Sequence, residues 1–149
     1  MERIVVGIDG SEGSGRALRW ALGEGRLRQA AVEVVHAWHP PYIPSAYPFS
    51  GLALDAEVYE KAAAELLGSA VDAQDTTGLA EPVARTLVTG GAAEAVLTHA
   101  KGADLIVIGS RGHGGFTGLL LGSVSNQIVH HATCPVVVVP HAADVPASG

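Results

Sequence analysis

The chain has 149 residues, 48% of them apolar and 16% charged, with a formal net charge of −6. That length suits one domain able to close its core without disulfides or metals, and the apolar share excludes intrinsic disorder. The negative charge excludes a nucleic-acid binder that neutralises phosphates broadly with lysine and arginine, while local phosphate binding by backbone groups stays open.

The first residues, MERIVVGID, carry Glu2 and Asp9 where a signal peptide needs a clean apolar stretch. No apolar run reaches the roughly 18 residues of a membrane span. The expectation is a cytoplasmic protein with no membrane partner. RIVVGID reads as a first strand, followed by a helix from about Ser11 to Leu27. Gly13, Gly15, Gly23 and Gly25 each cost that helix about 1 kcal/mol relative to alanine, but Ala17, Leu18, Ala21 and Leu22 give it an apolar face. AVEVVHAW is the second strand. The segment from His39 to Ala53 holds four prolines and three aromatics and reads as an ordered or semi-ordered loop, of a length more often functional than idle.

A second helix is expected to bury Leu54, Val58, Ala62 and Leu66, which recur at i+4. PVARTLV is the third strand. Ala93, Val96, Leu97 and Ala100 set the stripe of a third helix before the strand DLIVIGS. A fourth helix should begin near Ser123, with that serine as its cap, and bury Val124, Ile128 and Val129. PVVVVP is the last strand, and residues 141–149 read as a flexible tail after a domain spanning 1–140. Nearly continuous apolar runs are the mark of strands covered on both faces. The order βαβαβαβαβ therefore predicts a single α/β, doubly wound domain with a five-stranded parallel sheet and helices on both faces, ordered 3-2-1-4-5 or 2-1-3-4-5.

GSRGHGGFTGLLLGS, from Gly109 to Ser123, links the fourth strand to the fourth helix. Backbone amides there lie at the carboxyl edge of the sheet beside a helix N-terminus, a setting that favours anions. Glycines allow positive φ and close approach of the backbone to phosphate oxygens. Ser123 and Ser125 can add hydroxyl donors, and Arg111 can add charge. Two common phosphate loops fail the test. A P-loop needs lysine after its last glycine, but Ser123 follows Gly122. The dinucleotide fingerprint belongs to the first strand–helix turn, whereas Gly112, Gly114 and Gly118 have the wrong spacing on the wrong strand.

The spacing that does fit is G-x2-G-x9-G-[ST], at Gly109, Gly112, Gly122 and Ser123, together with VGIDGS from Val6 to Ser11. In these motifs the chain resembles the nucleotide-binding branch of the universal stress protein family, from the first strand to Pro140. The resemblance implies that ATP, with Mg2+, is held by Gly109, Ser110, Arg111, Gly112, His113, Gly122, Ser123, Val124 and Ser125. It also implies that Gly7, Ile8 and Asp9 contact the nucleotide, and that Ala37 borders the adenine. The family order 3-2-1-4-5 brings the ends of strands 1 and 4 to one switch point. One departure is Ala92, where the family commonly opens its third helix with proline; the loss is a helix-start preference, not a ligand contact.

The same residues have plainer roles. Glycines after a strand form turns, Asp9 can serve the cap region of the first helix, and Arg111 and His113 can be solvated loop residues. The seven histidines are scattered, and adjacent His130 and His131 do not have ligand spacing, so no metal site and no catalytic set is expected. The single cysteine, Cys134, reads as a small buried hydrophobe. Three functions compete: an ATP-holding stress-response or signalling module, a slow ATPase or phosphotransferase, and a scaffold whose glycine loop stays empty. Phosphoryl transfer calls for cations, and the loop offers only Arg111 and His113. The β-branched edge Val136 to Val139 predicts a homodimer through that strand, beside an unnamed signalling partner.

Overall fold

In the computed structural model, residues 1–40, 56–111 and 121–140 are described. Nine elements alternate along them: β1 (Arg3–Ile8), α1 (Glu12–Arg28), β2 (Ala31–Trp38), α2 (Ala56–Asp72), β3 (Ala84–Thr89), α3 (Ala92–His99), β4 (Leu105–Gly109), α4 (Ser123–His131) and β5 (Val136–Val139). The strands form one parallel sheet in the order β3-β2-β1-β4-β5. The second order compatible with the sequence, 2-1-3-4-5, is thereby excluded. β1 pairs Ile8 with His36 on one side and Val6 with Val107 on the other, so the chain reverses direction of travel across the sheet between β1 and β4.

The two-residue period of the strands divides the core into two layers. Ile4, Val6, Val32, Val34, Leu105 and Val107 face α1 and α2, whose Ala17, Leu18, Ala21, Leu67 and Val71 complete that layer. Val5, Val35, Ile106 and Ile108 face Ala93, Val96 and Ile128 of α3 and α4. The middles of β1, β2 and β4 are largely buried, as their apolar runs imply. β3 and β5 are not: their positions are half-buried or exposed apart from Val139, because each has a neighbour on one side only.

Helix boundaries follow local chemistry. Ser11 caps α1, its hydroxyl accepting from the Ser14 amide at 3.2 Å. Gln29 stops α1 in a left-handed conformation, φ 52°. Two expected stripes are displaced. In α2 the buried set is Ala63, Leu67 and Val71, one position C-terminal to the expected row; Val58 is exposed, and Leu54 lies outside the described residues. The reason is that α2 contributes alanines on several faces, and periodicity in small residues does not single one out. In α4 only Ile128 of the expected trio is buried, while Val124 and Val129 are exposed. The tail 141–149 and the loop residues 41–55 also lie outside the described residues. Among the described residues, no helix is long and apolar enough to cross a membrane.

Candidate functional site

At the carboxyl end of the sheet, β1 and β4 release the chain into two helices. After Ile8, Asp9 makes a tight turn in which its Oδ1 accepts from both the amide of Ser11, at 2.9 Å, and the Ser11 hydroxyl. Gly10 completes the turn at φ +84°, a conformation that side chains resist. Ser14, one turn into α1, accepts from the Asp9 amide at 3.3 Å and donates to the Ser11 carbonyl at 3.0 Å. The plainer role of Asp9, organising the start of α1, is therefore real.

β4 ends against that turn. A Cβ on Gly109 would stand 3.0 Å from the Gly13 carbonyl oxygen, and one on Gly13 would stand 3.0 Å from the carbonyl oxygen of Arg111. These glycines let the exit of β4 lie on the first turn of α1. Ser110 then ties the long connection at both ends. Its amide donates to Val139 of β5 at 2.9 Å, and its carbonyl accepts from the Gly122 amide at 2.7 Å and the Ser125 hydroxyl at 2.8 Å. The entry and exit of the loop are thus pinned together, and α4 starts beside the end of β4.

Several sequence expectations change at this point. The cap of α4 is Gly122, not Ser123, and no side chain caps the helix. Gly122 has φ −76° and ψ 173°, extended backbone open to any residue, and Gly109 is a strand residue without positive φ. Neither glycine is there for a left-handed turn. Ser125 is buried, with its one hydroxyl hydrogen directed into the protein at Ser110, so it offers a ligand no hydroxyl donor. Ser123 and Val124 are exposed on the first turn of α4. That turn contains no acidic residue, in contrast to α1, which has Glu12 there and a serine cap. The helix end nearest the loop therefore keeps its positive dipole without an internal anion.

Gly7 and Ile8 lie in β1, Ala37 is half-buried near the end of β2, and Arg111 is half-buried after β4. Gly112 and His113 lie outside the described residues. The structure brings Asp9, Gly109, Ser110, Gly122, Ser123, Val124 and Ser125 to one edge of the sheet around the β1–β4 switch point. Ser11, Gly13, Ser14 and His36 belong to the same edge and were not singled out for it by sequence. For His36 a signal existed: it continues the inward alternation of Val32 and Val34. A groove of about 290 Å3 between α3 and α4, lined by Leu97, Lys101, Gln127 and His131 among others, contains none of the site residues. No group of histidine, cysteine, aspartate and glutamate able to hold a metal is found among the described residues.

Residues 1–140 match the family model described as the universal stress protein family. A universal stress protein of Thermus aquaticus is 38% identical over 140 residues, covering 91% of this chain and 96% of its own length. One from Mycobacterium tuberculosis is 36% identical over 135 residues, covering 91% of this chain and 44% of its own length. The chain thus spans about half the length of the mycobacterial relatives it matches. Among solved structures, a universal stress protein from Lactobacillus plantarum superposes with a TM-score of 0.70 at 23% identity, covering 93% of this chain and 97% of its own. A universal stress protein in complex with cAMP gives a TM-score of 0.66 at 26% identity, with 93% and 96% covered.

Proposed function

The chain belongs to the universal stress protein family, and from that premise we propose that it is a nucleotide-binding member. It holds ATP, with Mg2+, between the Asp9 turn and the connection from Gly109 to Ser125, and acts as a nucleotide-dependent stress-response or signalling module. The observation that carries the reading is the unbroken series of contacts from the Asp9 turn to α4. Gly13 meets Gly109 and Arg111, and the Ser110 carbonyl meets Gly122 and Ser125. A carboxylate-bearing turn and an acid-free helix N-terminus are thereby held at the two sides of one switch point, the place where open α/β sheets take ligands.

The phosphates lie on the first-turn amides of α4, from Ser123 to Ser125, with the exposed Ser123 hydroxyl and the loop residues Arg111, Gly112 and His113 as further donors. Gly7, Ile8 and Asp9 approach the nucleoside side, and Ala37 borders the base. Asp9 supplies the one carboxylate of this set for ribose or for magnesium. A relative in complex with cAMP supports an adenine nucleotide as the ligand class. The chain has lysines only at 61 and 101, on α2 and after α3, so the site offers no lysine to transfer chemistry. The role is therefore occupancy sensed by shape, in a homodimer paired through Val136 to Val139.

The test is calorimetric titration with ATP and magnesium, with mass spectrometry of any nucleotide released from the purified protein on denaturation. Retained ATP and a measurable Kd, weakened in Asp9→Ala, are expected. A wild-type protein that takes up no ATP at millimolar concentration overturns the proposal, and accumulated ADP would instead support the hydrolytic reading.

A further inference from the structure

One buried titratable side chain at this edge of the sheet has no part in the proposed ligand contacts. His36 lies in β2 opposite Ile8, follows Val32 and Val34 on the face beneath α1 and α2, and is 8% exposed. A buried imidazole is costly unless it is hydrogen-bonded. Its Nδ1 stands 2.9 Å from the carbonyl oxygen of Ile8. A carbonyl only accepts, so Nδ1 carries the hydrogen and donates it.

Ile8 is the last residue of β1, and the peptide unit that bears its carbonyl also bears the amide of Asp9. That amide is held in turn by the Ser14 hydroxyl at 3.3 Å. One peptide plane is thus gripped at both ends by side chains, from β2 at its oxygen and from α1 at its nitrogen. Its orientation determines where the Asp9 backbone begins and hence where the carboxylate is delivered. The contacts of the carboxylate with Ser11 fix only the far side of the turn.

The geometry points to His36 as a positioning residue for the Asp9 turn: by donating from Nδ1 to the Ile8 carbonyl it sets the peptide plane that aims the Asp9 carboxylate. The role is filled by a neutral donor at the Nδ1 position and needs no change of charge. The consequence for ligand affinity rests on the nucleotide reading above, but the positioning itself does not.

The experiment therefore has two parts. In wild-type protein, 15N NMR of the His36 ring should report Nδ1 as the hydrogen-bearing nitrogen at neutral pH; an unprotonated Nδ1 overturns the inference without any variant. In His36→Leu, which fills the space without a donor, amide resonances of Asp9, Gly10, Ser11 and Ser14 should shift and lose exchange protection while those of Ile4 to Val6 stay in place. His36→Asn, whose amide nitrogen sits near the Nδ1 position, should restore them. Unchanged turn amides in His36→Leu, or an asparagine variant no better than leucine, overturn the inference. ATP affinity should fall about fivefold to tenfold in His36→Leu, the worth of one hydrogen bond, and should not fall further when the change is added to Asp9→Ala. A wild type that binds no ATP would overturn the nucleotide reading alone, leaving the ring nitrogen and turn amides to decide the role of His36.

Discussion

Gly109→Ala tests the packing on which the site depends. The added Cβ meets the Gly13 carbonyl oxygen at 3.0 Å, the Gly13 carbonyl carbon at 3.1 Å and the Ser14 amide nitrogen at 3.5 Å. All three partners are backbone atoms in the first turn of α1, so no side chain can swing away. The end of β4 and the start of α1 must separate by a few tenths of an ångström. Overpacking of this kind costs about 1 to 3 kcal/mol. Replacing a strand glycine returns about 0.5 to 1 kcal/mol of backbone entropy. The expected net loss centres on about 1 kcal/mol within a span of about 0 to 2.5 kcal/mol, or roughly 2 to 4 °C in Tm at the centre for a domain of this size.

Gly23→Ala provides the opposite sign in the same fold, since a Cβ at Gly23 meets nothing within 4 Å and the residue lies inside α1. It should gain about 0.5 to 1 kcal/mol. Urea unfolding followed by circular dichroism measures both. If Gly109→Ala is as stable as wild type, or if the two variants move in the same direction, the close approach of β4 to α1 is not what requires a glycine at 109.

Other consequences are as specific. Gly122→Val should fold, because φ −76° and ψ 173° suit valine, yet ATP binding should vanish because the side chain occupies the N-terminal approach to α4; unchanged affinity by calorimetry defeats the proposed phosphate position. Pro135 and Val139 direct their carbonyls to β4, so the alternation of the strand turns the amides of Val136 and Val138 outward. Val138→Pro should therefore give a folded monomer by light scattering, whereas Val137→Pro should break the β4–β5 ladder; a wild type already monomeric at micromolar concentration ends the edge-pairing proposal. The Thr77 hydroxyl and amide donate to Asp75, at 2.7 and 3.0 Å, and hold its pKa below the usual carboxylate value. The stability this adds is complete above the ordinary aspartate pKa and is lost as pH falls through the lowered one. Thr77→Ala should flatten that acid limb in urea midpoints measured against pH, with a small amplitude since Asp75 is exposed.

Much of the fold was legible because apolar runs in β1, β2 and β4 are long enough to require cover on both sides, and because each is followed by a segment with helical spacing. Composition alone does not separate central from edge strands, and the edge position of the last strand was legible only through the family order 3-2-1-4-5. PVVVV and LIVIG read alike, yet β5 has one neighbour and β4 has two. Helix faces were legible where large residues alternate with polar ones, as in α1, and not where alanine spreads around the helix, as in α2. The α4 cap was misplaced by one residue because Ser123 is a strong cap type, while Gly122 offers the extended backbone that the pinned connection needs.

The glycine spacing drew attention to the β1–β4 switch point for a reason only partly stated by it. A phosphate loop and a tight backbone crossing make the same demand on sequence, which is the absence of a Cβ. Gly109 meets that demand through Gly13, the second residue of α1, which sequence presents as an unrelated helical turn after β1. Gly13 in turn is excused its helix penalty by the carbonyl of Arg111. The two glycines form one contact, and neither can be understood from its own neighbourhood in the chain. Gly122 is different: its backbone is ordinary, so its own φ and ψ require no glycine. A side chain at 109 is opposed by the protein itself, and a side chain at 122, under the proposed function, by the nucleotide. Stability should therefore respond to the first substitution and nucleotide affinity to the second, and that separation distinguishes a site from a turn.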